Sequence, residues 1–121
     1  MNIALWIVAG LLALAFLGAG AMKATKSKED IVAGGMGWAE DFSPAMIKVI
    51  GIAEVLGAIG LILPPLVDVA PVLSPIAALA LAGTMVGAVL VHAKRKEPVA
   101  PALVLGLLSL FVGIGRLIVG F

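Results

Sequence analysis

Cysteine is absent from the 121 residues. That excludes disulfides, thiolate metal sites and any thiol redox chemistry carried by this chain itself. Histidine occurs once, as His92. A haem-ligating histidine pair is therefore excluded, and no ligand set for a metal can be assembled around a lone imidazole, so no metal is expected. Charge is scarce as well. Asp, Glu, Lys and Arg make up 12% of the residues, against roughly a quarter in a soluble domain. A net charge of +1 leaves no broad basic surface, so nucleic acid is not an expected partner. The sequence also has no phosphate-binding glycine loop and no nucleophile–base set, and no activity is expected of the chain alone.

What the chain has instead is hydrocarbon. Hydrophobic residues account for 63%, and the mean hydropathy is +1.25. So much apolar side chain exceeds what one small core can bury. It falls into four stretches, residues 3–22, 45–63, 75–92 and 102–121, each near the roughly 20 residues that carry a helix across a bilayer. The expectation is an all-α membrane protein, a single domain over residues 1–121 built as an antiparallel bundle of four transmembrane helices. Residues 3–21 also imitate a secretory signal, apolar and closed by small residues. The positive charges Lys23, Lys26 and Lys28 follow that run rather than precede it, which favours a retained first helix.

Helix boundaries are written in local chemistry. Ser43 with Pro44, and Ser74 with Pro75, read as an N-cap followed by proline at the first helical position. Pro64 and Pro65 read as the stop of the second helix. Residues 23–43 form the one long polar connection. Ile31, Val32, Met36, Trp38 and Phe42 would make one apolar side of a short interfacial helix there. Its three glycines equally support a partly irregular lid on the surface. Basic residues gather in this connection and at Lys94, Arg95 and Lys96, which places both connections in the cytoplasm and both termini outside. Lys94, Arg95, Lys96 and Trp38 are expected to touch lipid headgroups, at about 1 kcal/mol per basic residue. Small residues recur four apart in each span, at Ala15/Ala19, Ala53/Gly57, Gly83/Gly87 and Ser109/Gly113. This spacing lets helices approach closely in lipid. The Gly83/Gly87 pair is open to a second reading as a dimer face.

Two ionisable residues lie inside the apolar stretches. Glu54 and Arg116 each carry an insertion cost of at least about 2.5–3.5 kcal/mol, which demands a partner or a task. Glu54 lies about 15 Å into its helix and Arg116 about 21 Å into a helix of the same direction. An offset of about 6 Å is within reach of an arginine, so a Glu54–Arg116 ion pair is expected. Such a pair either fixes which helices meet or forms the polar floor of a pocket for a headgroup, a quinone or a cationic substrate. If Arg116 turned outward, Glu54 would become a proton-carrying group of the kind found in coupled transporters. His92 reads as an interfacial polar residue or as a quinone contact, and Thr84 as bonded to its own helix backbone.

Taken in order, residues 14–23 (LAFLGAGAMK), 50–65 (IGIAEVLGAIGLILPP), 76–94 (IAALALAGTMVGAVLVHAK) and the late Arg116 resemble the DoxX-like proteins. The resemblance covers most of the chain. It implies a four-helix membrane bundle, mostly bacterial, and places Glu54, His92 and Arg116 at the family's polar positions, with Lys23 as a basic residue closing the first helix. Some relatives are named as subunits of membrane oxidoreductases that pass electrons to quinone, while others look like accessory or assembly proteins. The expected role is an accessory subunit, in the bacterial inner membrane, that binds lipid or quinone and associates with copies of itself or with other membrane subunits. A small proton-coupled transporter and a quinone-site subunit of an oxidoreductase are the alternatives.

Overall fold

A computed structural model describes residues 1–120. Four long helices, α1 (Asn2–Thr25), α3 (Pro44–Leu66), α4 (Leu73–Lys94) and α5 (Ala100–Val119), run antiparallel in succession. A short helix α2 (Lys28–Ala33) and a 3-10 turn (Gly37–Asp41) occupy the connection between α1 and α3. In cross-section α1 packs on α3, α3 on α4, α4 on α5, and α5 closes the square on α1. The remaining pairs, α1 with α4 and α3 with α5, are the diagonals.

Each long helix is at least 20 residues and apolar enough to cross a membrane. The core is a narrow seam in which Leu12 and Phe16 meet Ala58, Leu61, Ala78, Leu81 and Val112. Most of the remaining leucine, isoleucine and valine side chains point away from it. Leu14, Leu56, Leu90 and Ile118 are all more than 60% exposed. A soluble protein would aggregate through such a surface. Lipid is its solvent, and the protein is a multi-pass membrane protein with an all-α four-helix bundle fold.

The second helix starts as its sequence dictates: Ser43 Oγ accepts from the Met46 amide at 3.1 Å, with Pro44 at the first helical position. Its end departs from expectation, because Pro64 and Pro65 lie inside α3, which continues to Leu66. Each proline deletes the donor to the carbonyl four residues earlier, but its own carbonyl can still accept from later amides. Val67 N–H still reaches Leu63 O, and Val69 N–H reaches Pro64 O. In a regular ladder the residue-65 amide would serve the Leu61 carbonyl. Ser74 replaces that lost donor: its buried hydroxyl donates to Leu61 O at 2.8 Å. Ser74 is therefore not the cap of α4. That helix begins one residue earlier, at Leu73, and has no side-chain cap. Serine restoring a backbone acceptor freed by proline is a recurrent solution inside membranes.

Only some of the small-residue pairs mediate packing. A Cβ on Gly57 would press into Leu81, and one on Gly113 into Leu79 and Ala78. Gly83 and Gly87 face outward, with nothing within 4 Å of an added Cβ.

Candidate functional site

The backbones of α1 and α3 come together at two glycines. A Cβ built on Gly20 would lie 2.6 Å from Gly51 O, and one on Gly51 would lie 2.6 Å from Gly20 O and 2.8 Å from Lys23 Cβ. The missing side chain of Gly51 thus provides the space through which the Lys23 stem passes. Lys23 continues one turn along α3 and its Nζ donates to Glu54 Oε1 at 2.6 Å. Both side chains are withdrawn from the surface, at 11% and 2% exposure. The sequence places each charge three residues after its glycine, Gly20 before Lys23 and Gly51 before Glu54. Positions three apart share a helix face, so close contact and ion pair form one α1–α3 clamp.

This corrects the expected Glu54–Arg116 pair. α3 and α5 stand diagonally across the bundle, so a similar depth does not bring them together. Glu54 faces its neighbour α1 and takes Lys23 as its cation. Arg116 is occupied at the other end of the molecule. Its Nη1 donates to Asn2 Oδ1 and, at 2.9 Å, to Gly120 O, while its guanidinium stacks 5.0 Å from the Trp6 ring centroid. There it joins the last turn of α5 to the first turns of α1.

Above the clamp, residues 26–42 fold back as a lid. Ser27 caps α2 by accepting from the Asp30 amide at 3.2 Å, and Gly34 and Gly35 end that helix, Gly35 with φ of 105°. The glycines therefore split the segment into α2 and the 3-10 turn instead of one interfacial helix. Its apolar residues turn inward. Ile31 and Ala39 are buried against Ile47 of α3, flanked by Val32, Met36, Trp38 and Phe42. Trp38 lies 5.3 Å from Lys23 Nζ, in cation–π range, and meets Phe42 edge to face. Trp38, expected at lipid headgroups, is half-buried and lies over the clamp.

The lid is tied to the far side of the bundle by charge. Lys96, at φ of 58°, ends α4 in a Schellman-type turn, with Glu97 N–H bonded to His92 O and Lys96 N–H to Ala93 O. That turn folds Glu97 back on the last turn of α4. His92 Nδ1 lies 3.0 Å from Glu97 Oε1, and Arg95 Nε lies 3.3 Å from Glu97 Oε2. Arg95 also reaches across to the lid, 2.8 Å from Asp41 Oδ2 and 3.9 Å from Glu40. The hydrogen bond to Asp41, ahead of those to Glu97, holds the Arg95 guanidinium above its ordinary pKa. The bond from His92, then that from Arg95, holds the Glu97 carboxyl below the usual glutamate value despite partial desolvation. Of the residues expected at headgroups, Arg95 is thus engaged with protein, while Lys94 and Lys96 remain exposed.

Among the described residues no buried side-chain nitrogen or oxygen is left without a hydrogen-bond partner. The Lys23–Glu54 pair joins α1 to α3. Open volume lies elsewhere. On the lipid-facing side α1 and α3 flank an open groove of about 770 Å³, walled by Trp6, Gly10, Leu14 and Leu17 on one side and Ile59 and Leu63 on the other. Sequence reasoning found Glu54, Lys23, His92 and Arg116 but not Gly20, Gly51 or this groove. The repeated glycine three residues before a charge was the available signal.

Among curated proteins and solved structures, nothing matches the chain. The model of the DoxX-like family matches residues 7–114. That span includes the clamp, the lid and the Arg95 network, and the chain belongs to the DoxX-like family.

Proposed function

We propose that this protein is an accessory subunit of the cell membrane that holds the apolar tail of a lipid or quinone in the groove between α1 and α3. The observation that carries the reading is the groove. Its volume of about 770 Å³ is in the range of small-molecule sites, roughly 300–1,000 Å³. Its walls suit a hydrocarbon or isoprenoid chain, and the Lys23–Glu54 clamp fixes the two helices that form them. A proton-coupled transporter needs a membrane carboxylate free to exchange its proton. Here that carboxylate is held by a lysine at 2.6 Å, which weighs against transport.

In this reading the lid end, which carries the basic residues Lys23, Lys94, Arg95 and Lys96, faces the cytoplasm, and both termini lie outside, as the positive-inside rule directs. Lys94 and Lys96 meet anionic headgroups. Association with other membrane subunits or with further copies would use the broad apolar exterior.

Gly10 supplies the test, because a side chain added there meets nothing within 4 Å and projects into free space. Native mass spectrometry of gently extracted protein is expected to find quinone or phospholipid retained by the wild type. Gly10→Leu should reduce that occupancy about five- to tenfold, corresponding to roughly 1–1.4 kcal/mol. Equal retention by both proteins would overturn the assignment.

A further inference from the structure

The lid is bounded at both ends by extended backbone, at Lys26 and Ser27 before α2 and at Phe42 and Ser43 after the 3-10 turn. Between those points it is held from two sides. Its apolar underside rests on Ile47, and Trp38 covers Lys23. Its outer edge is held by Arg95, which belongs to the α4–α5 connection and reaches Asp41, 54 residues away in sequence. Gly37 also packs against this connection: a Cβ there would lie 3.3 Å from Arg95 Nη2 and from Glu97 Oε2. Arg95 is itself aimed by Glu97, which His92 also contacts. The two attachments differ in kind. The apolar underside is insensitive to salt, whereas the partners of Arg95 on the lid, Asp41 and Glu40, are more than half exposed and within reach of screening ions.

We infer that residues 26–42 are a latched lid: Arg95 holds it closed over the Lys23–Glu54 clamp, and release of Arg95 from Asp41 exposes the clamp to the aqueous face. This device is independent of what the α1–α3 groove holds. It makes the ion state of the α4–α5 connection a control on access to a buried pair on α1 and α3.

The absence of cysteine from the chain makes a clean test. Ala39, on the inward face of the lid, is fully buried against Ile47, so Ala39→Cys gives a single thiol that a hydrophilic maleimide reaches only when the lid opens. Measured on the full chain in lipid nanodiscs, its labelling rate follows the open population when reclosing is fast. Arg95→Ala, and separately the isosteric Asp41→Asn, should each raise that rate about three- to tenfold, the size expected of one well-formed exposed ion-pair network. The double variant should label no faster than the faster single. Raising salt from about 0.15 to 1 M, which shortens the screening length from about 8 to 3 Å, should accelerate the parent and leave Arg95→Ala unchanged. A parent rate in Arg95→Ala or in Asp41→Asn would overturn the latch. So would equal acceleration by salt with and without Arg95.

Discussion

At the scale of single residues, the bundle repairs one polar fault with one side chain. Pro65 leaves the Leu61 carbonyl without its helical donor, and the Ser74 hydroxyl supplies one at 2.8 Å. Ser74→Ala should therefore lower stability by about 1–3 kcal/mol, the usual effect of stranding a buried acceptor. Pro65→Ala returns an amide to the same carbonyl, so in that background Ser74→Ala should cost much less. Unfolding in mixed micelles measures both, and equal losses would show that the hydroxyl serves something else. The same scale explains what sequence could reveal of the site. Glu54 stood out because a carboxylate inside an apolar run has no bland reading. Lys23 lies at the end of its run and read as a border charge, since nothing in the linear order shows its stem bending inward past Gly51. Arg116 was matched to Glu54 on depth alone, and depth does not specify whether two helices are neighbours or diagonal.

At the scale of elements, four helices and their order were legible because long apolar runs separated by proline, glycine and charge have one reading in lipid. The ends were less so. Pro64 and Pro65 read as a stop, yet the carbonyls around them still found donors and α3 ran on to Leu66. Small residues four apart marked faces that can approach closely without marking which face receives a neighbour. Gly57 and Gly113 meet leucines of α4, whereas Gly83 and Gly87 face outward. Gly20 and Gly51 were not among the pairs singled out, although α1 and α3 meet there backbone to backbone. A methyl group at Gly20 would meet the Gly51 carbonyl at 2.6 Å and Val55 at 2.9 Å. Gly20→Ala is expected to separate α1 from α3 at a cost of about 1–3 kcal/mol, typical of overpacking. Gly83→Ala should be neutral or slightly stabilising, since helix propensity favours alanine by about 1 kcal/mol. Thermal unfolding of the two variants side by side distinguishes them, and a matching loss in both would deny the glycine contact its role.

For the whole molecule, the polar contacts divide between the two ends of an apolar column. Arg116 joins α5 to α1 near the termini. Arg95 joins the lid to the α4–α5 connection at the opposite end. Between them the Lys23–Glu54 clamp holds α1 to α3, the pair that walls the groove. Removing one member of such a pair leaves a buried charge, at about 3–5 kcal/mol, whereas replacing both is often close to neutral. The central claim is that Lys23, and not Arg116, is the energetic partner of Glu54. A double-mutant cycle on unfolding free energy with Lys23→Met and Glu54→Gln tests it directly, run beside a second cycle with Arg116→Gln and Glu54→Gln. The account predicts a coupling of about 1–3 kcal/mol in the first cycle and less than about 0.5 kcal/mol in the second. Additive losses at Lys23 and Glu54, with strong coupling between Glu54 and Arg116, would contradict it.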